Sequence, residues 1–62
     1  MNEKLIEKRG ERSQTTIANA IGISIPYYNM IERGKRVPPY RIMKKIADYY
    51  NVKPDYFFYK KV

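Results

Sequence analysis

Three glycines and four prolines (Gly10, Gly22, Gly34, Pro26, Pro38, Pro39 and Pro54) cut these 62 residues into short pieces. Each piece has helical rather than strand character. Asn2 is placed to cap a first helix through Arg9, with Glu3 in its first turn. Leu5 and Ile6 are its only apolar residues, so weak anchoring is expected. A second helix spans Gln14 to Ile21, with Ser13 as N-cap and an apolar stripe of Ile17, Ala18 and Ile21. Gly22 follows it, where a left-handed residue ends many helices. Ser24 opens a third helix with Pro26 in its first turn, and Gly34 closes it. Only Gly22-Ile23-Ser24 joins the second helix to the third, so the two must turn sharply against each other. Beyond Val37-Pro38-Pro39, the residues Tyr40, Met43, Ala47 and Tyr50 recur at helical spacing with Ile46 beside them, and predict a buried face ending at Asn51. A last helix starts at Pro54 and carries Tyr56-Phe57-Phe58-Tyr59. The expected fold is all-α: a single domain over 1–62, about five short helices, with a helix-turn-helix in the middle.

Composition narrows the function. A chain this short buries only about 60% of its unfolded surface and has no room for a large walled cavity. With no cysteine there is no thiolate metal site, and with no histidine the commonest general base and metal ligand are missing. The six carboxylates are scattered at positions 3, 7, 11, 32, 48 and 55. An enzyme is therefore not expected, nor a cofactor or bound metal. No apolar stretch is long enough to span a membrane, and Met1 to Arg9 lacks an apolar signal core, so a cytoplasmic, nucleoid-associated protein is expected.

The net charge is +7, unevenly spread. Residues 13 to 32 contain no base and one acid, Glu32, whereas residues 33 to 62 hold nine bases against two acids. Such a basic half attracts a polyanion, with nucleic acid the first candidate and anionic lipid the second.

Two helices joined by a tight glycine turn, the second opening on a serine cap, form the layout of a DNA-binding helix-turn-helix. The run Ser13-Gln14-x-x-Ile17-Ala18-x-x-Ile21-Gly22-Ile23-Ser24-x-x-x-Tyr28-x-x-Ile31-Glu32-Arg33-Gly34-Lys35-Arg36-x-Pro38 resembles the Xre/Cro-type family of phage repressor-like regulators. Ile46-Ala47 and Tyr50-Asn51-Val52 are similar to the end of that family's fourth helix. The resemblance covers roughly residues 13 to 58 and implies a lambda-repressor-like fold, binding to double-stranded DNA and repression of transcription from an operator, as in a phage or mobile element.

Gln14 stands where amide hydrogens at a helix N-terminus suit a phosphate. The resemblance implies that it touches the DNA backbone and props the recognition helix, with Ser13 a cap first and a phosphate contact second. Within the recognition helix, Ser24 to Arg33, the face of Tyr28 and Ile31 packs inward. The resemblance implies base reading by Ile25, Pro26 and Met30, with Tyr27 and Asn29 nearest the phosphates. Ile, Pro and Met bond no base edge but make apolar contact with thymine methyls, so T-rich sites are expected. Asn29 is the one side chain there that could read adenine. Lys35, Arg36 and Arg41 flank a loop that lies along the DNA backbone in the family. There, an acid at the place of Glu32 pairs with an arginine of the first helix. Counting back from Ser13, that place holds Glu7, which leaves Arg9 or Lys8 to take the part.

The tail crowds Tyr49, Tyr50, Tyr56, Phe57, Phe58 and Tyr59 into eleven residues. Two or three of these fill the core. Tyr49, Tyr56, Phe57, Phe58 and Tyr59 are expected to form a homodimer interface, since aromatics are enriched in such patches. A second function stays open: a protein-interaction module, such as an antitoxin, that masks its partner with the apolar Ile25-Pro26-Met30 face.

Overall fold

The computed structural model describes residues 1–58, and Tyr59, Lys60, Lys61 and Val62 lie outside them. The described chain is all-helical: α1 Glu3–Arg9, α2 Gln14–Ile21, α3 Ile25–Glu32, α4 Tyr40–Tyr50 and α5 Asp55–Phe58. α2 packs chiefly on α3 and also on α4, α1 bridges α3 and α5, and α5 closes against α1 and α4.

The sequence sets these boundaries locally. The Asn2, Ser13 and Ser24 side chains accept from the amides of Leu5, Thr16 and Tyr27. Each satisfies one of the amides that a helix start leaves without a partner. α2 ends at Gly22, whose left-handed backbone (φ 91°) lets the Ile23 amide reach the Ala18 carbonyl at 3.0 Å. Asn51 does the same after α4 at φ 61°, with the Val52 amide 3.0 Å from the Ala47 carbonyl. After each stop the next side chain, Ile23 or Val52, packs on the core. That apolar clasp commonly accompanies this helix ending. Past α3, the amides of Gly34 and Lys35 reach back to the carbonyls of Ile31 and Met30, at 3.1 and 2.9 Å.

The core consists of Leu5, Ile17, Ala18, Ile21, Tyr28, Ile31, Ile42, Ile46 and Phe57. Two sequence expectations change here. Tyr40 is 58% exposed rather than buried. It is the first residue of α4, and helical side chains lean toward the N-terminus, so it points past the end of the bundle. Ile42 takes the inward place instead, beside the expected Met43, Ile46 and Ala47. α1 is also held more firmly than two apolar residues suggest. Leu5 is fully buried, the Asn2 amide donates to the Glu32 carbonyl at 2.7 Å, and Asn2 Nδ2 donates to the Phe57 carbonyl at 3.1 Å. One asparagine thus caps α1 and ties it to both α3 and α5.

The aromatic end is a chain of edge-to-face rings. Tyr49 meets Tyr50 at 5.0 Å, Tyr50 meets Phe57 at 5.7 Å, and Phe57 meets Tyr56 and Phe58 at 5.1 and 5.8 Å. Of the residues expected at a dimer interface, Phe57 is buried in the chain's own core, and Tyr49 and Phe58 pack partly against it. Tyr56 is exposed, with the ammonium groups of Lys4 and Lys8 over its ring at 4.8 and 5.7 Å, and Tyr59 lies outside the described residues.

Candidate nucleic-acid interface

α3 presents two faces because its side chains repeat every 3.6 residues. Tyr28, Ile31 and Glu32 are buried, and Ile25 and Pro26 are exposed at the opposite side. Tyr27, Asn29 and Met30 are half-buried at the margins. Pro26 fits the first turn because no helical partner awaits its missing amide hydrogen.

Glu32 is the one buried charged residue among those described, 1% exposed. Arg9 grips it two-pronged: Nε donates to Oε2 at 2.7 Å and Nη2 to Oε1 at 3.0 Å. Of the two bases considered for this pairing, Arg9 is the partner. Gln14 Nε2 also donates to Glu32 Oε1, at 2.9 Å, and Asn29 Nδ2 donates to Gln14 Oε1 at 3.1 Å. Burial alone pushes the Glu32 carboxyl up. The hydrogen bonds, led by those from Arg9, outweigh it and hold the carboxyl below the usual range. The same pairing raises the Arg9 guanidinium. The network ties α1, α2 and α3 together and sets Gln14 against α3.

Ser13 is occupied as a cap, its Oγ 3.0 Å from the Thr16 amide and 2.9 Å from the Thr16 hydroxyl, yet it remains exposed. Ser24 is likewise an exposed cap, 3.2 Å from the Tyr27 amide. Lys35, Arg36 and Arg41 are exposed on the loop after α3 and the first turn of α4. The expected site residues thus fall into a joined set, Gln14 with Asn29, and a set of separate side chains: exposed Ser13 before α2, Ser24 as the cap of α3, Ile25, Pro26, Tyr27 and Met30 on α3, and exposed Lys35, Arg36 and Arg41 beyond it.

Sequence reasoning passed over Arg12. Its guanidinium folds back onto the end of α1, donating to the carbonyls of Arg9 and Lys8 at 3.2 and 2.7 Å and to the Tyr49 hydroxyl at 3.3 Å. It also lies 5.5 and 5.3 Å from the Tyr49 and Tyr50 ring centres. A base just past a helix C-terminus was the available signal. The Tyr28–Tyr50 hydroxyl pair, 3.2 Å apart, was also missed, because nothing local foretells a contact across 22 residues.

Among the described residues, no group of His, Cys, Asp and Glu could hold a metal ion, and no helix is long and apolar enough to cross a membrane. No curated protein and no solved structure matches the chain. A helix-turn-helix family model matches residues 4–57, most of the chain and all of the elements that build this surface. With five helices among the described residues, a serine-capped α3 and that match, the chain belongs to the Xre and lambda-repressor-like helix-turn-helix family, a family of DNA-binding regulators.

Proposed function

We propose that this chain is a sequence-specific transcriptional regulator, a Cro-like repressor that occupies an operator as a homodimer through the major groove. The observation that carries the reading is the exposed α3 face, Ile25 and Pro26 with Asn29 and Met30 at its edge, bordered by Gln14 and followed by Lys35, Arg36 and Arg41. Ser13, Gln14, Ser24, Tyr27 and the three bases position the protein on the phosphates. Ile25, Pro26 and Met30 meet thymine methyls, which gives a T-rich site with few strong polar contacts and a share of readout by groove shape. In the dimer, Tyr56 and the neighbouring aromatics meet their copies, and the two recognition helices lie roughly 34 Å apart, one turn of DNA.

Fluorescence anisotropy on duplex DNA across a salt series tests this. A dimer neutralising about eight phosphates gives log K against log salt a slope near −7. Gln14→Ala with Arg36→Ala weakens binding at every sequence and flattens the slope, while Met30→Ala changes mainly which sequence is preferred. If neither change alters DNA affinity, the reading is wrong for this surface. The 39% exposure of Ile25, an apolar residue at the start of this face, favours one second reading: an interaction module of the antitoxin kind that docks the same face on a protein. Weak DNA binding with a shallow slope would support that reading.

A further inference from the structure

We infer that Gln14 is a positioning residue that passes the hydrogen-bond polarity of the buried Arg9–Glu32 pair to Asn29, and so fixes which edge Asn29 shows to a base. The inference rests on the DNA-binding reading above and adds the base and the device that selects it.

The argument is one of donors and acceptors. An ionised carboxylate only accepts. Glu32 Oε1 takes Arg9 Nη2 at 3.0 Å and Gln14 Nε2 at 2.9 Å. Gln14 must therefore turn its NH2 toward Glu32, because the reverse orientation would set its carbonyl oxygen against a carboxylate. Its Oε1 then faces the other way as an acceptor. Asn29 can meet it only with its own NH2, and Nδ2 does so at 3.1 Å. Asn29 keeps Oδ1 and one N–H to offer. Among the described residues, nothing donates to Oδ1. Asn29 is half-buried on α3 and lies one turn from exposed Ile25, so its outer edge borders the proposed reading face.

An acceptor beside a donor complements adenine, whose major-groove edge carries the N6 amine and the N7 acceptor. It clashes with guanine, whose O6 and N7 both accept. A freely turning Asn29 could offer its NH2 to guanine instead. The held amide removes that choice, so the buried pair confers a preference for adenine over guanine at one position of the site.

The test is selection from a pool of randomised duplexes by the wild type, Asn29→Ala, Gln14→Met and Gln14→Lys. The position whose preference Asn29→Ala abolishes marks the base that Asn29 reads. There the wild type prefers adenine over guanine by about tenfold. Gln14→Met reduces this to about twofold or less and leaves the preferences at other positions as they were. Gln14→Lys still donates to Glu32 but offers Asn29 no acceptor. It loses the same discrimination while its added charge raises affinity for all duplexes, and it serves if Gln14→Met does not fold. A purely structural Gln14 would change affinity or melting temperature without changing the preferred base. Discrimination kept by either folded variant overturns the inference and leaves the DNA reading intact, as does a base other than adenine at the Asn29-dependent position. A wild type that selects no duplex overturns both.

Discussion

The two ends of this small domain share one apolar core and add different physics to it. Around α1, α2 and α3, side chains meet through directed hydrogen bonds: Arg9 and Gln14 on Glu32, Asn29 on Gln14, serine caps on amides. Around the end of α4 and α5, rings meet edge to face at 5.0–5.8 Å and bury area. Burial is non-directional and tolerates small shifts. Hydrogen-bonded amides and carboxylates do not, because each must find its partner or bear the cost of desolvation. The end that carries the proposed reading face is built for orientation, and the other end for cohesion.

The sharpest way to break that contrast is Arg9→Met. It leaves the Glu32 carboxylate buried without its cation, a loss of about 3–5 kcal/mol. The whole domain has roughly 3–9 kcal/mol at its size. The variant is therefore expected to be strongly destabilised at neutral pH, with a much lower melting midpoint by circular dichroism. Its pH dependence is reversed as well. In the wild type the Glu32 carboxyl is held low, so its contribution is present above the ordinary glutamate value of about 4.3 and is lost as pH falls through the lowered value. In Arg9→Met burial dominates and pushes the carboxyl up, so stability is lost as pH rises. Chemical denaturation at pH 5 and pH 7 separates the two. Equal slopes with pH in both proteins would mean that the ion pair does not govern this end.

Phe57→Ala strikes the other end. Full burial of a Phe makes its loss worth about 3–5 kcal/mol, and the edge of a four-residue helix places it near the lower figure. The loss is expected to show no dependence on pH between 5 and 8, since none of the rings lost with it titrates there. A pH-dependent loss would join the two ends into one network.

The contrast also explains what was legible in the sequence. Ser13, Gly22, Ser24, Gly34 and Asn51 act on backbone within a few residues of themselves, so the helix boundaries could be read directly. Gln14 and Glu32 stood out because they lie in a stretch without bases. The choice between Lys8 and Arg9 turned on helix phase and reach across 23 residues, and only the packing of α1 decides it. The aromatic end was the least legible. Which of six rings goes inward depends on how α5 docks on α1 and α4, and spacing within four residues says nothing about that. Tyr40 fell on the right stripe, but a stripe is buried only as far as another element covers it.

The smallest expected effect tests the place where the ends touch. The hydroxyls of Tyr28 on α3 and Tyr50 on α4 lie 3.2 Å apart. Tyr28 is fully buried, and burial first and then this bond raise its phenol well above the ordinary value, so it remains a neutral hydroxyl at any physiological pH. Tyr50→Phe removes its partner while keeping the ring against Tyr49 and Phe57. The expected loss is about 1 kcal/mol, which lowers the melting temperature by roughly 4–8 °C in a domain of this size. Combining it with Tyr28→Phe removes both hydroxyls, so the double variant should lose less than the two single losses added together, by about 0.5 kcal/mol or more. Strict additivity would show that the hydroxyls act separately. α3 would then be joined to the aromatic end by ring packing and by the Asn2 bridge between the Glu32 and Phe57 carbonyls, with no share from the tyrosine hydroxyls.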